Sequence, residues 1–284
     1  MIEIISKATT ANLGPGFDCL GLALDIENKV TIKEAEEEYK DKDSLIYLSI
    51  KKVFDLVGKP MPYIDIEQNI EIPICRGLGS SAACISAGCI AGNIMAEANL
   101  SIDELIKIGV EIEGHPDNIV PAFLGGFTIS SFEGDEVVYF RKELHDNFKF
   151  AVMYPEYTLS TSEARAVLPK TISLKDGIYN IGKVSLLTAA LIAGDGELLR
   201  HGCKDRIHQP YRKGLIEHFD EITNKARSLG AFASCLSGAG PTIIAIIDSR
   251  NETFEKDMKE FLYNISGNWT LKITEASNEG IRVI

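Results

Sequence analysis

A glycine-rich segment in the first half of the chain carries the strongest chemical signal, with the sequence PICRGLGSSAA at residues 73–83. It lies between a predicted strand and a predicted helix. Glycines let the backbone approach an anion without a clash at Cβ, and the N-terminal end of the following helix attracts negative charge. The hydroxyls of Ser80 and Ser81 could also ligate a metal. Taken alone, the segment fits a phosphate site and a tight turn before a closely packed helix equally well.

The spacing of this segment separates it from two common nucleotide loops. It is not a Walker A loop, because no Gly-Lys-Ser/Thr follows. Gly77, Gly79 and Ala82 match the Rossmann spacing G-x-G-x-x-A, and Glu97 lies near the expected acidic position. However, Glu97 falls inside the predicted helix, and the preceding strand alternates polar and apolar residues where a central parallel strand would be apolar throughout. These mismatches argue against a dinucleotide site.

Four further segments combine polar side chains in patterns that could bind a charged substrate. Asn12 and Asp18 flank a glycine-proline turn, and residues 111–118 hold three carboxylates, a histidine and an asparagine. Residues 161–165 begin a helix, for which Thr161 is the predicted cap. Residues 206–212 form a cationic and aromatic loop, and arginine binds carboxylates and phosphates with two parallel hydrogen bonds. Each segment also has a purely structural interpretation as an Asx turn, a helix cap or a surface ion pair.

The elements that must position these residues are predicted from hydrophobic periodicity. In the first half, strands are expected at residues 2–5, 30–33, 63–74, 127–132 and 137–140, the last two around a turn at 133–135. Helices are expected at 44–57, at 80–98 and after Ser101, which has Glu104 at the capping-box position. Residues 234–242 form a second glycine segment between two strands, for which a hairpin turn is the simplest interpretation.

The second half predicts a different order of elements. Strands are expected at residues 148–153, 231–236, 243–247 and 271–275, with helices at 174–193, 215–228 and 253–263. This is the β-α-β-β-α-β order of ferredoxin-like domains. We therefore predict an α+β protein with an N-terminal domain at residues 1–155 and a C-terminal domain at residues 156–284.

Composition excludes several classes of protein. The formal net charge of −12 makes a general nucleic-acid binder unfavourable, and 45% hydrophobic residues exclude global disorder. The six cysteines contain no C-x-x-C pair, which favours reduced thiols in the cytoplasm over a zinc site. No signal peptide is evident, and the apolar stretch at residues 82–98 is too short and too polar to span a bilayer. We expect a cytoplasmic protein with no nucleic-acid or membrane partner.

In combination and order, these motifs resemble the GHMP kinase superfamily over nearly the whole chain. The landmarks are ANLGPGFD at residues 11–18, PICRGLGSSAA at 73–83 and LSGAGPT at 236–242. EGHPDN at 113–118 and DRIHQPYR at 205–212 resemble the branch that phosphorylates homoserine. The resemblance implies a ribosomal protein S5 domain 2-like N-terminal lobe and a ferredoxin-like C-terminal lobe, with the site in the cleft between them. It also implies Mg²⁺-dependent transfer of the γ-phosphoryl group of ATP to the side-chain hydroxyl of L-homoserine, a step of threonine biosynthesis.

The resemblance further implies roles for individual residues. The ATP-binding set is Ser44, Pro73, Ile74, Cys75, Arg76, Gly77, Leu78, Gly79, Ser80, Ser81, Ala82 and Ala83. Ser44 stands where the family often has an asparagine near the adenine, so adenine selectivity is left open. The substrate-binding set is Asn12 and Asp18 for the ammonium, Arg165 and Arg212 for the carboxylate, and His115 and Asn118 at the hydroxyl end. The catalytic set is Asp117, Asn118, Thr161 and Arg165, and the Mg²⁺ ligands are Ser81 and Glu111.

No clear general base is present in these motifs. Superfamily members with a lysine in the first motif carry it after Pro-Gly, whereas this chain reads KATTA at residues 7–11. Phosphoryl transfer depends mainly on positioning and charge neutralisation, so we expect no essential base, with Asp117 as the best-placed exception. Two other functions stay open: a mevalonate- or sugar-type kinase of the same superfamily, and a non-catalytic ligand-sensing member. A homodimer is also left open.

Overall fold

The computed structural model describes residues 1–133 and 136–284, and most of the predicted turn at 133–135 therefore lies outside the described residues. Six strands form an antiparallel sheet in the order β10-β1-β2-β4-β5, with β3 also paired to β2. Their bounds are β1 (Ile2–Ala11), β2 (Leu20–Glu34), β3 (Ile64–Ile70), β4 (Phe127–Glu133), β5 (Glu136–Lys142) and β10 (Arg282–Val283). The predicted pairing of the strands around residues 133–135 is confirmed, since Thr128 lies opposite Arg141.

Helices of the first half pack on this sheet. Their bounds are α1 (Leu45–Leu56), α2 (Ser80–Met95), α3 (Ile102–Glu113) and α4 (Pro116–Leu124). The predicted capping box at Ser101 and Glu104 is confirmed. Helix α4 was not predicted from the sequence. This helix has one proline at its first position and a second proline inside it. A proline inside a segment usually indicates the end of a helix, so the sequence did not predict one here.

The second half contains a four-stranded antiparallel sheet in the order β7-β8-β6-β9. Its strands are β6 (Phe148–Tyr154), β7 (Ala233–Leu236), β8 (Ile243–Asp248) and β9 (Thr270–Thr274), and its helices are α5 (Thr161–Ala166), α6 (Leu174–Ala193), α7 (Gly196–Gly202), α8 (Gln209–Arg212), α9 (Phe219–Ser228) and α10 (Phe254–Tyr263), with a 3₁₀ turn at Lys213–Leu215. The predicted β-α-β-β-α-β order and the α+β class are confirmed. Helices α7 and α8 are short additions that the periodicity did not indicate.

The two sheets share a hydrophobic core. Leu22 and Phe127 of the first sheet belong to the same buried cluster as Phe150 and Val152 of β6. The sequence placed the domain boundary after residue 155. Strand β6 ends at Tyr154 and belongs to the second sheet, so the second sheet begins before that boundary. A division ahead of Phe148 keeps the strands of each sheet together, except that β10 returns to pair with β1.

None of the helices in the described residues is long and apolar enough to cross a membrane.

Candidate active site

A cavity of about 500 Å³ lies where the glycine segments and the ends of several helices meet. Its walls include all six residues predicted to bind the substrate: Asn12, Asp18, His115, Asn118, Arg165 and Arg212. They also include Asp117, Thr161, Ser44, Ser81 and, from the glycine segment, Ile74, Cys75, Arg76, Gly77, Gly79 and Ser80. Residues that are far apart in the sequence thus surround one space.

Four members of the predicted ATP-binding set, Pro73, Leu78, Ala82 and Ala83, do not line the cavity. Leu78, Ala82 and Ala83 are at most 1% exposed. The first turn of α2 has one face toward the core and one toward the cavity. Leu78, Ala82 and Ala83 pack into the core, whereas Ser80 and Ser81 between them line the cavity. The three apolar residues stabilise the segment and offer no side-chain contact to a ligand.

The glycines of residues 73–83 are required by close packing. Gly79 has φ +64°, and a Cβ there would lie 1.8 Å from Thr9 Oγ1. Gly77 has φ +73°, and its Cβ would lie 2.3 Å from Ser237 O. No side chain caps the start of α2, so the free N–H groups of its first turn and its positive dipole end are available to an anion.

The segment at 73–83 is joined to the second glycine segment by a set of buried hydrogen bonds, which we call the glycine clasp. Ser237 Oγ donates to Gly77 O at 2.6 Å and is hydrogen-bonded to Thr10 Oγ1 at 2.8 Å. Gly238 N donates to Ala11 O at 3.0 Å. The clasp therefore ties β1, the start of α2 and the loop after β7 together on one side of the cavity.

Asp18 and Arg165, which both line the cavity, form a paired set of hydrogen bonds. The two guanidinium nitrogens of Arg165 donate to the two carboxylate oxygens of Asp18 at 2.8 and 3.0 Å. The N–H of Asp18 donates to Asn12 Oδ1 at 2.9 Å, and Asn12 Nδ2 donates to Gly238 O at 2.7 Å. Asn12 thus uses both its amide oxygen and its amide nitrogen to hold the loop that carries Asp18. It supports Asp18 and does not offer a free acceptor to a substrate ammonium group.

Arg212 is a buried cation in the same wall, with only 1% of its surface exposed. Its Nε donates to Ala164 O at 3.0 Å, and its Nη1 donates to Gly238 O at 3.3 Å. Burial, reinforced by the charge of Arg165, lowers the pKa of Arg212 to about 10. The guanidinium remains charged at neutral pH and lacks a carboxylate partner among the described residues, which suits it to bind an anionic ligand.

Phe17 is a residue of the site that the sequence did not single out. The guanidinium carbons of Arg165 and Arg212 lie 5.6 and 5.0 Å from the centre of its ring. A ring face attracts cations, so Phe17 supports both guanidinium groups. Its position next to Asp18 in the first motif was the available signal.

Three residues at the start of α4 form a hydrogen-bonded chain beside the glycine segment. His115 Nδ1 lies 2.6 Å from Asp117 Oδ1, and Asn118 Nδ2 donates to the same oxygen at 3.4 Å. Asn118 Oδ1 accepts from Thr9 Oγ1 at 2.7 Å. Asp117 is only 2% exposed. It is engaged in positioning His115 and Asn118, which is a poor arrangement for a general base.

The His115–Asp117 pair predicts a pH dependence of stability. Burial lowers the pKa of His115, but the hydrogen bond and charge of Asp117, aided by Glu113, outweigh burial and raise it above the ordinary value of 6.5. A raised folded-state pKa contributes stability that is complete below the unfolded value and is lost as the pH rises through the folded value. We expect the wild-type protein to lose more stability than His115→Asn in urea titrations as the pH rises from the ordinary pKa of histidine through the raised folded-state pKa. Parallel curves for the two proteins would contradict the pairing.

The acidic residue beside Ser81 is Glu113, which corrects the prediction of Glu111. Ser81 Oγ donates to Glu113 Oε1 at 2.6 Å within the cavity wall. Glu111 lies outside that wall and pairs with Lys52 at 3.3 Å. Two residues along a helix correspond to a rotation of about 200°. Glu113 therefore faces α2, whereas Glu111 faces α1.

The helix that carries Arg165 begins one residue earlier than predicted. Ser160, rather than Thr161, is the N-cap, and it forms a capping box with Glu163. Thr161 is therefore free of a capping role, is exposed and lines the cavity. At the far end of the space, Ser44 precedes α1 and caps it without a side-chain hydrogen bond.

Comparison with known proteins places this geometry in a family. The N-terminal domain model of the GHMP kinases matches residues 44–126, and the C-terminal model of the GHMP kinases matches residues 187–264. A homoserine kinase of Clostridium botulinum (strain Langeland) is 43% identical over 96% of this chain and 95% of its own length. A homoserine kinase of Clostridium beijerinckii is 42% identical over 100% and 99% of the two chains. The crystal structure of a homoserine kinase from Cytophaga hutchinsonii superposes with a TM-score of 0.89 at 27% identity, covering 100% of this chain and 97% of that one.

Proposed function

This chain belongs to the homoserine kinase branch of the GHMP kinase family, and we propose that it transfers the γ-phosphoryl group of ATP to the side-chain hydroxyl of L-homoserine. The product is O-phospho-L-homoserine, an intermediate of threonine biosynthesis. The observation that carries this proposal is the shared cavity: Asp18, Arg165 and Arg212 line the same space as Gly79 at the uncapped start of α2. The start of α2 suits a phosphate chain, and Asp18, Arg165 and Arg212 together suit a zwitterion.

The substrate end fits an amino acid with a terminal hydroxyl. An ammonium group needs acceptors, and we assign it to the carboxylate of Asp18, which Asn12 holds by the backbone. A carboxylate needs paired donors, and we assign it to Arg165 and Arg212. Binding of the zwitterion then exchanges the Asp18–Arg165 contacts for contacts of each side chain with the ligand. The hydroxyl end is assigned to His115 and Asn118.

The nucleotide end fits a metal-bound triphosphate. Ser81 and Glu113 place a hydroxyl and a carboxylate oxygen together at the first turn of α2, and hard oxygen ligands of this kind suit Mg²⁺. Among residues 1–133 and 136–284, no group of three or more His, Cys, Asp or Glu side chains could hold a metal. A site that supplies one carboxylate and relies on phosphate and water is typical of Mg²⁺ in phosphoryl transfer. When bound, the ion would neutralise charge on the phosphates.

The protein's own contribution to the reaction is alignment and charge. The N–H groups at the start of α2 bind phosphate oxygens, and Asn118 and Thr161 orient the acceptor hydroxyl toward the transferred group. We infer that no side chain is an essential base, because Asp117 is buried and engaged by its neighbours. Positioning alone can supply a large part of the barrier reduction in phosphoryl transfer.

Coupled measurement of ADP release with Mg-ATP tests the activity. We expect a clear preference for homoserine over serine, threonine, mevalonate and galactose. Among these acceptors, only homoserine has an ammonium and a carboxylate for the charged side chains and also a hydroxyl long enough to reach the transferred phosphoryl group. A preference for mevalonate or galactose would indicate the other kinase types of the superfamily. Failure of every acceptor to release ADP would indicate a ligand-sensing protein.

We also propose that the enzyme works in the cytoplasm. All six cysteines are free thiols in the structure, as expected where cellular reductants keep them reduced.

A further inference from the structure

His208 is a fully buried histidine between the loop that carries Asp18 and the guanidinium of Arg212. Its Nε2 lies 2.5 Å from Gly14 O, and its ring stacks on Phe17 with centroids 5.0 Å apart and planes at 22°. Its Nδ1 lies 3.5 Å from Arg212 Nη1. The roles assigned above make no use of this residue, although it contacts two parts of the substrate end of the cavity.

The contacts determine which ring nitrogen carries the proton. A carbonyl oxygen can only accept, so the short contact with Gly14 O requires a hydrogen on Nε2. In the neutral ring, Nδ1 is then an acceptor that faces a donor of Arg212. Burial lowers the pKa of His208, and the charge of Arg212 acts in the same direction against Asp205, Gly14 and Asp18. The ring is therefore neutral at physiological pH.

Asp205 fixes the main chain from which His208 projects. Its Oδ2 accepts from the backbone N–H groups of His208 at 3.0 Å and Gln209 at 2.6 Å. Its Oδ1 accepts from Asn180 Nδ2 at 2.7 Å, and Asn180 Nδ2 also lies 3.3 Å from Pro15 O. The carboxylate of Asp205 is fully buried. One buried acid thus links the start of α8 to the loop at residues 12–18.

The hydrogen bonds of Arg212 show which of its nitrogens are held by the protein and which is not. Its Nε and Nη1 are directed to Ala164 O, Gly238 O and His208 Nδ1. Within the described part of the chain, Nη2 has no hydrogen-bond partner, and Arg212 lines the cavity. The guanidinium is therefore held through Nε and Nη1, and Nη2 is left for a ligand.

We propose that His208 is a positioning residue for the substrate carboxylate: its neutral ring anchors the Asp18 loop through Nε2–H and orients Arg212 through Nδ1. This inference rests on the proposed function, because it assigns the Nη2 group of Arg212 to the carboxylate of the amino-acid substrate. Asp205 supports the arrangement by holding the backbone of His208.

Two near-isosteric substitutions separate the two ring nitrogens. His208→Asn retains an acceptor at the position of Nδ1, whereas His208→Gln retains a donor at the position of Nε2. We expect His208→Gln to raise the KM for homoserine about tenfold or more and His208→Asn to raise it less, with the KM for ATP within about twofold of wild type for both. The exposed His201 supplies matched controls, His201→Asn and His201→Gln, which should leave both constants unchanged.

An acceptor without a carboxylate provides the decisive comparison. With 3-aminopropan-1-ol at high concentration, Nη2 of Arg212 has no partner, so the ratio of kcat/KM between His208→Gln and wild type should return to about one. Equal losses for homoserine and the amino alcohol, equal rises in both KM values, or a larger effect of the asparagine variant would each overturn the proposal.

A measurement on the wild-type protein covers the case in which a variant does not fold. The ¹⁵N spectrum of the histidine rings should show His208 as the Nε2–H tautomer at neutral pH, and its Nδ1 signal should shift when homoserine binds. A protonated ring or an Nδ1–H tautomer would overturn the proposal. If wild-type enzyme releases no ADP with homoserine, the proposed function fails; if it does and these signals are absent, only the role of His208 fails.

Discussion

Asp18→Asn is expected to raise the KM for homoserine about 100-fold while the KM for ATP stays nearly constant. Losing one partner of a hydrogen-bonded charge pair at a binding site costs about 2–5 kcal/mol, and about 1.4 kcal/mol corresponds to a factor of ten. The side chains of Asp18 and Arg165 are 34% and 37% exposed, so the lower part of that range applies. Steady-state kinetics with each substrate varied in turn measures the two constants.

Asparagine is the appropriate replacement because of the backbone at this position. Asp18 has φ +54°, a left-handed conformation that asparagine tolerates and that alanine adopts at a cost. The substitution removes charge with little change of shape. Asp55→Asn removes an exposed carboxylate that pairs with Lys51 and is the matched control. Equal increases in both KM values for Asp18→Asn would contradict the assignment of this carboxylate to the ammonium group.

Glu113→Gln should lower kcat about 100-fold or more and raise the Mg²⁺ concentration needed for half-maximal activity, because it removes the carboxylate charge that we assign to Mg²⁺ beside Ser81. A glutamine oxygen can still accept the hydrogen bond of Ser81, so the local structure should be retained. Titration of activity with Mg²⁺ at saturating ATP and homoserine measures both quantities.

Glu111→Gln is the control that the chain itself supplies. Both residues lie in the last turn of α3, but Glu111 is paired with Lys52 and lies outside the cavity. We expect this variant to retain the kcat and the Mg²⁺ dependence of the wild type. The reverse result, with Glu111→Gln inactive and Glu113→Gln active, would restore the assignment made from the sequence.

The comparison of these two glutamates shows why the sequence indicated the acidic segment but not which carboxylate lies beside Ser81. The density of acidic residues near His115 indicated a site, and the structure brings that segment to the cavity. Choosing between the two carboxylates requires the rotation of α3 relative to α1 and α2, which depends on packing between helices. Spacing along the sequence contains no information about which neighbour occupies which face.

The same reasoning applies to the elements. The helix at Leu174–Ala193 and the capped start of α3 follow from local periodicity and caps, and both are predicted closely. Strand β10 has two residues and exists only because β1 provides an edge. Helix α8 has four residues and is fixed by hydrogen bonds to Asp205. Elements that depend on distant partners cannot be predicted from their own residues.

The glycine segment indicated an anion site from its own residues, whereas the roles of the arginines at positions 165 and 212 came from the resemblance to the GHMP kinases. These residues line one cavity. The supporting residues, Phe17 and His208, carry no such signal, because an aromatic ring or a histidine in a loop has many uses. Their role depends on the side chains that the fold brings beside them.

The glycine clasp restricts how the enzyme can admit and release its ligands. Separating the two sheets at that point would break buried hydrogen bonds of Ser237 and Gly238, and each buried group left without a partner costs about 1–3 kcal/mol. The side of the cavity that the glycine clasp forms is therefore expected to stay rigid through turnover. Entry and exit would then proceed past exposed lining residues such as Thr161. Small movements of these residues would replace the movement of whole domains that closes some enzymes.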